Sequence, residues 1–210
     1  MLEIFPMVLG PFGTNAYLLG DTRSHSAVVV DPAWDGELIL EEATRRSWHI
    51  EQIWLTHAHI DHIGGIAELV KGIQPAPKIA IHPADLPLYS AQGGAALFGM
   101  HIGPTPEPNI HLRHGQILRL GEFDFETRHC PGHTPGHVVF CCAAEKVVFC
   151  GDVIFWGSIG RTDLPGGDYD TLMLSIHTQI LCLPNETRLL SGHGGETTVG
   201  YERRENPFLT

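Results

Sequence analysis

The residues best suited to chemistry stand in Thr56-His57-Ala58-His59-Ile60-Asp61-His62-Ile63-Gly64-Gly65. Three histidines and an aspartate fall there within six positions, directly after the apolar run Ile53-Trp54-Leu55. Imidazole and carboxylate together suit Zn, Fe or Mn, and the same cluster buried without a cation would leave several polar atoms unsatisfied. On extended backbone, residues two apart point the same way, so His57 and His59 can aim at one point. Asp61 and His62 are adjacent and would face apart on a strand; at a loop leading into a helix they can reach a second point nearby. Gly64-Gly65 is expected to let the backbone bend, and Ile66-Ala67-Glu68-Leu69-Val70 reads as a short helix. The plain alternative is an incidental cluster in a chain with 14 histidines.

The elements that must position this cluster follow from pattern and punctuation. Glu3 to Leu9 and Thr14 to Gly20 read as strands joined by the turn Gly10-Pro11-Phe12-Gly13. Ala27-Val28-Val29-Val30 is a third strand, and its unbroken apolar run predicts cover on both faces. Glu37 to Arg46 has helical spacing, and Glu51 to Thr56 is the strand that delivers the cluster. Lys78 to Ile81 reads as a strand, Pro83 to Ala91 as a helix opened by proline, and Gln92 to Pro108 as a long irregular loop. Ile110 to Leu120, Phe123 to His129, His137 to Cys142 and Val147 to Cys150 supply a second set of strands. Asp170 to Leu181 is expected to be helical, Arg188-Leu189-Leu190 a strand, and Val199 to Arg204 a last helical turn or two.

At 210 residues, 43% hydrophobic and 18% charged, the chain is expected to form one domain over residues 1–210. A formal net charge of −11 argues against nucleic-acid partners, because a phosphate backbone calls for a basic face. No apolar run is long enough to cross a bilayer, and Met1-Leu2-Glu3-Ile4-Phe5-Pro6 has no signal-peptide pattern. Five cysteines, two of them adjacent, form neither a disulfide framework nor a zinc knuckle. A cytoplasmic location without membrane attachment is therefore expected. Nothing in the sequence bears on oligomeric state.

Three later stretches end a strand in a polar residue flanked by glycine. They are Cys130-Pro131-Gly132-His133-Thr134-Pro135-Gly136-His137, then Gly151-Asp152, then Ser191-Gly192-His193-Gly194-Gly195. With the opening H-x-H-x-D-H, and with Thr14-Asn15-Ala16-Tyr17-Leu18 and Val30-Asp31-Pro32, this order of motifs resembles the metallo-β-lactamase superfamily over nearly the whole chain. The resemblance implies an α/β fold, a four-layer αββα sandwich of two mainly antiparallel or mixed sheets with helices on the outer faces. It places His57, His59 and His133 on one metal and Asp61, His62 and His193 on a second, with Asp152 bridging them. Two divalent ions per chain are implied, zinc first, with iron or manganese as alternatives that spacing does not separate. Asp31 is expected to orient a ligand or form a turn rather than bind metal, and His137, placed inside the next strand, to have a core or ligand-orienting role. His49, His101, His111, His114, His129 and His177 have no partner at ligand spacing.

Two cations sharing a water lower its pKa and hold a nucleophile beside a carbonyl whose oxygen they can polarise. Asp61 and Asp152 are the carboxylates such catalysis would use, Asp61 orienting the nucleophile. A thiol can leave as thiolate without a strong acid, its ordinary pKa being about 8.5, whereas an amide nitrogen needs a proton. Ser158 to Asp168, with Gly160-Arg161-Thr162-Asp163, and Thr197 to Phe208 resemble the short glyoxalase II-like branch. That resemblance implies a small-molecule substrate, an S-2-hydroxyacylglutathione of the S-lactoylglutathione type, cleaved to thiol and 2-hydroxy acid. Gly194 stands where glyoxalase II typically has a glutamate, which leaves the thiol carrier open. Arg161 could contact an anionic substrate group or pair with Asp163 or Asp168. The rival on the same scaffold is a persulfide dioxygenase holding one iron by two histidines and an aspartate.

Overall fold

The computed structural model describes residues 1–209. Six strands form the first sheet in chain order: β1 (Leu2–Leu9), β2 (Thr14–Asp21), β3 (Ser26–Val30), β4 (His49–Trp54), β5 (Lys78–Ile81) and β6 (Ile110–His111). β1, β2 and β3 pair antiparallel, and β3 through β6 pair parallel. β7 (Ile117–Leu120), β8 (Phe123–His129), β9 (Val138–Cys142) and β10 (Val147–Gly151) begin the second sheet. After a two-stranded hairpin, β11 (Ile154–Phe155) with β12 (Ser158–Ile159), it is completed by β13 (Arg188–Ser191) and β14 (Thr197–Thr198) in the order β14-β13-β10-β9-β8-β7. The helices are α1 (Gly36–Arg45), α2 (Ile60–Ile63), α3 (Ile66–Lys71), α4 (Leu86–Ser90), α5 (Tyr169–Ser175) and α6 (Val199–Glu205).

The apolar runs explain the layering. Val28 and Val30 of β3 join the cluster between the sheets, with Trp54, Phe125, Phe140 and Phe149, while Ala27 and Val29 face the cluster under α1 and α3. This is the two-sided burial expected of an unbroken β-branched strand. Val139, Cys141 and Val148 face a third cluster beneath α5, with Leu172 and Ile176. The result is the expected α/β sandwich of two mixed sheets with helices outside. No helix among the described residues is long and apolar enough to cross a membrane.

Several local expectations need correction. Ile110 to Leu120 is not one segment of the second sheet: Ile110–His111 pairs with β5, Ile117–Leu120 pairs with β8, and the chain crosses between sheets at Arg113–Gln116. Pro83 to Ala91 divides into a 3-10 turn (Pro83–Asp85) and α4, and part of the expected loop, Gln92–Phe98, is 3-10 helix. The helix expected to reach Leu181 is α only through Ser175 and continues as π-helix over Ile176–Ile180. His137 lies immediately before β9 rather than inside it. Gly64 and Gly65 form the turn between α2 and α3, in right-handed dihedrals that any residue can adopt. Glycine is required there by crowding: a Cβ at Gly65 would lie 2.5 Å from the Pro32 carbonyl oxygen, and one at Gly64 would overlap the Trp34 ring.

Candidate metal centre

The polar residues meet because the strands that deliver them point one way. β3 and β4 are parallel, so Asp31 and the stretch from Thr56 leave the first sheet at the same edge. β8 and β10 both run antiparallel to β9, and β13 runs parallel to β10, so His133, Asp152 and His193 all follow strand ends at one edge of the second sheet. His59 precedes α2, which carries Asp61 and His62. The helical turn is what lets two adjacent residues reach the same place, as a strand would not.

Two groups of possible ligands result, His57 with His59 and His133, and Asp61 with His62 and His193, the ligand atoms of each lying within 4.8 Å of one another. In the first, His59 Nδ1 is 2.9 Å from His133 Nε2. In the second, Asp61 Oδ2 is 3.1 Å from His193 Nε2 and 3.5 Å from His62 Nε2. Asp152 lies between the groups, with Oδ1 3.4 Å from His62 Nε2 and Oδ2 3.6 Å from both His133 Nε2 and His193 Nε2. All seven residues singled out from the sequence are therefore together. Their fit to cations is testable on the atoms themselves: His57 Nε2, His62 Nε2 and Asp152 Oδ1 are buried without a hydrogen-bond partner, and all three belong to these seven residues. Orphaned acceptors facing one space are what a bound cation satisfies.

The outer hydrogen bonds select the ligand nitrogens. The Thr56 hydroxyl donates to Asp31 Oδ2 (2.6 Å), so its contact with His57 Nδ1 (3.0 Å) makes that nitrogen the donor and leaves Nε2 with its lone pair. His62 Nδ1 donates to Asp31 Oδ2 (2.9 Å) and His133 Nδ1 to the Arg161 carbonyl (2.7 Å), freeing both Nε2 atoms inward. Asp31 also accepts from the Thr56 N–H (2.7 Å), so its oxygens are engaged and it orients ligands. This accounts for the third cluster, Asp31 with His57 and His62, as hydrogen bonding. His137 is no ligand either: its Nε2 accepts from the Asp152 N–H (3.0 Å), and its ring stacks 4.7 Å from that of His57. Its Nδ1 is buried without a partner, for which we have no physical account.

Electrostatics separate the two groups. Burial, with the neighbouring imidazoles, holds His57 well below the ordinary histidine pKa and His59 down to about 3, so both are neutral donors. Burial opposes charge on His62 as well, but the carboxylates of Asp61, Asp152 and Asp31 reverse this and raise it. Burial pushes the Asp61 carboxyl up, and the His62 and His193 imidazoles more than cancel that, bringing it to about 2. Asp152 is likewise lowered against its burial by His62, His133 and His193. A field that draws positive charge to this point favours a divalent cation over an empty apolar pocket.

Sequence reasoning missed residues that hold the groups from a distance. The Thr14 hydroxyl donates to Asp61 Oδ2 (3.0 Å), and the Asn15 side-chain amide donates to the carbonyls of Ser191 and Gly194 (2.9 Å each), fixing the turn that carries His193. Asp85 is fully buried and accepts from the Ala58 N–H (3.0 Å), the Thr134 hydroxyl (2.8 Å) and the Gly136 N–H (2.6 Å). Ala58 separates His57 from His59, and Thr134 follows His133, so one carboxylate ties together the backbone of the whole first group. Asp85→Asn would turn an amide NH2 toward a donor. It is expected to weaken metal binding at the first group by about 10- to 100-fold, the usual effect of losing an orienting partner, read by competition with a chelator. Unchanged affinity would show that the clamp is dispensable.

Arg161 is not a free cation. Its Nε and Nη2 each lie 2.7 Å from the Asp163 carboxylate, while Asp168 is used as the N-cap of α5. With Phe12, Phe98 and Leu164 it borders a cavity of about 170 Å³ into which the ligand groups open. A larger cavity, about 580 Å³ beside α1 and the Gly72–Lys78 connection, holds none of the ligand clusters and is set aside on chemical grounds.

Known proteins share this sequence pattern and fold. Residues 9–193 match the model of the metallo-beta-lactamase superfamily. The hydroxyacylglutathione hydrolase GloC of Haemophilus influenzae is 36% identical over 209 residues, covering 99% of this chain and 97% of that protein. Among solved structures, TTHA1623 in a di-iron-bound form superposes with a TM-score of 0.88 at 42% identity, over 98% of this chain and 100% of that one. BLEG-1, described as a B3 metallo-beta-lactamase, gives a TM-score of 0.88 at 39% identity over the whole of both chains. Motif order, layered fold, ligand clusters and full-length similarity lead to one conclusion: this chain belongs to the metallo-beta-lactamase superfamily, as a metallo-hydrolase.

Proposed function

We propose that the protein is a dinuclear thioester hydrolase whose substrates are S-2-hydroxyacyl thioesters of the S-lactoylglutathione type, cleaved to thiol and 2-hydroxy acid. The observation that carries this reading is the placement of Asp152 between two complete ligand groups. His57, His59 and His133 would hold one cation and Asp61, His62 and His193 the other, with Asp152 placed between the two groups. Two cations so held supply Lewis acidity to the carbonyl oxygen and lower the pKa of a water. Asp61, oriented by Thr14, directs that water's lone pair at the acyl carbon. Addition of the water oxygen, with one water proton passing to solvent, would be followed by rupture of the C–S bond, the sulfur leaving with the bonding pair and taking its proton from solvent.

The lining of the cavity supports a thioester over an amide. Beyond the histidines and the two carboxylates, its described residues are Phe12, Ile60, Phe98, Arg161 and Leu164, none of which readily gives up a proton. A thiolate needs none; an amide nitrogen does. The dioxygenase reading needs one ion, and it would leave Asp61, His62 and His193 to hydrogen bonding alone.

The test is hydrolysis of S-lactoylglutathione under strict anaerobiosis by protein loaded in turn with Zn, Mn or Fe. Turnover with all three, without oxygen, is expected. Intact thioester, together with oxygen uptake on addition of glutathione persulfide and one iron per chain, would establish the dioxygenase instead.

A further inference from the structure

Part of the cavity lining is apolar, formed by Phe12, Ile60, Phe98 and Leu164. Phe12, in the turn between β1 and β2, and Phe98, at the end of the Gln92–Phe98 segment, meet edge to face with ring centroids 5.6 Å apart. Both stay partly exposed, at 38% and 41%, although they border a cavity lined by Asp61 and Asp152. The Phe98 segment is pressed onto α2 itself. Gly93, at φ 65°, sits so close to Ile60 that a side chain there would overlap the Ile60 backbone, which seats the aromatic wall beside Asp61.

Size and charge say what such a wall receives. A cavity near 170 Å³, part of which the cations would occupy, is well below the several hundred Å³ that enclose a drug-sized ligand. It can take the acyl end of a thioester, while a tripeptide thiol must extend outside. Charge points the same way, since the one arginine on the lining has its guanidinium bound to Asp163.

We propose that Phe12, Phe98 and Leu164 form an acyl subsite that favours 2-hydroxyacyl groups carrying an aromatic or branched apolar substituent over the methyl-bearing lactoyl group. The proposal rests on the thioester reading above. Aromatic rings meeting edge to face are a favourable surface for a further ring, and a well-placed apolar group changes selectivity by about tenfold or more.

The test compares kcat/KM for S-mandeloylglutathione and S-lactoylglutathione in the metal-loaded enzyme and in Phe98→Ala, Phe12→Ala and Phe98→Leu. The expected result is a preference of about tenfold for the mandeloyl ester, lost in both alanine variants and largely kept in Phe98→Leu. Both rings are partly exposed, so the variants should fold, and circular dichroism checks that they do. A lactoyl thioester of benzyl mercaptan places the ring on the thiol side instead. An equal gain there, equally sensitive to Phe98, would overturn the acyl assignment. Calorimetry with the two non-hydrolysable thioethers, in which a methylene replaces the carbonyl, reads the same subsite without turnover. If no thioester is cleaved yet the phenyl thioether binds about tenfold tighter through Phe98, the subsite stands and the hydrolase reading fails. Equal binding of the two thioethers, or a ratio unmoved by Phe98→Ala, would overturn the subsite.

Discussion

Asp152→Asn is expected to lower metal affinity by more than about 100-fold, the upper figure for losing a mere orienting partner, and to reduce turnover to background. The substitution keeps volume and shape. It removes the negative charge that lies 3.4 to 3.6 Å from ligand nitrogens of both groups, and it turns an NH2 toward a place that attracts cations. Two cations held there would repel each other, and little else near them would offset that repulsion, because five of the other six proposed ligands would be neutral imidazoles. The backbone N–H of residue 152 still donates to His137 and the Gly151 turn is unaltered, so the fold should survive. Elemental analysis after dialysis, with circular dichroism on the same sample, separates the two effects. Normal metal content with full activity would show that Asp152 does not bridge.

The second large effect is expected from one methyl group. A Cβ at Gly192 would overlap Asp152 Oδ1 and lie 2.7 Å from His62 Cε1. The residue cannot step aside, because its N–H donates to the Gly151 carbonyl (2.8 Å) and its carbonyl accepts from the Asn15 N–H (2.7 Å). Gly192→Ala should therefore displace the carboxylate or His62, cost about 1 to 3 kcal/mol as overpacking does, and cut activity by at least about 100-fold through the displaced ligands. Gly195→Ala is the control in the same loop. Its Cβ would meet only Trp156, at an ordinary 3.6 Å, and stability should change by less than about 0.5 kcal/mol. Urea melts and rates on both variants test the pair. Similar behaviour of the two would mean that the loop yields more easily than its hydrogen bonds imply.

Much of this site could be read from residue types because metal ligands come from a short menu and stood at the ends of apolar strands. His57, His59, Asp61 and His62 announced themselves by crowding, and His133, Asp152 and His193 by glycine-flanked positions after strands. What supports them could not be read that way. Asp85 looked like the opening of a helix, and only the folded chain brings Ala58, Thr134 and Gly136 to its carboxylate. Thr14 and Asn15 act on residues 47 and 176 positions away, a relation no local pattern encodes. Gly64 and Gly65 looked like a bend because glycine tolerates many dihedrals, whereas their use here is to admit Trp34 and Pro32. The crossing at Arg113–Gln116 was hidden because apolar strand residues flank it on both sides, and which sheet each half joins is decided by distant partners.

Metal titration of protein stripped by a chelator decides whether two cations act together. Stripped enzyme would be titrated anaerobically with zinc while S-lactoylglutathione cleavage is followed on each sample. Uptake of two equivalents is expected, with the second needed for full turnover. In His62→Ala and His193→Ala only one equivalent should bind tightly, with activity sharply depressed. Saturation of both binding and rate at one equivalent, unchanged by His62→Ala, would contradict joint action of two cations.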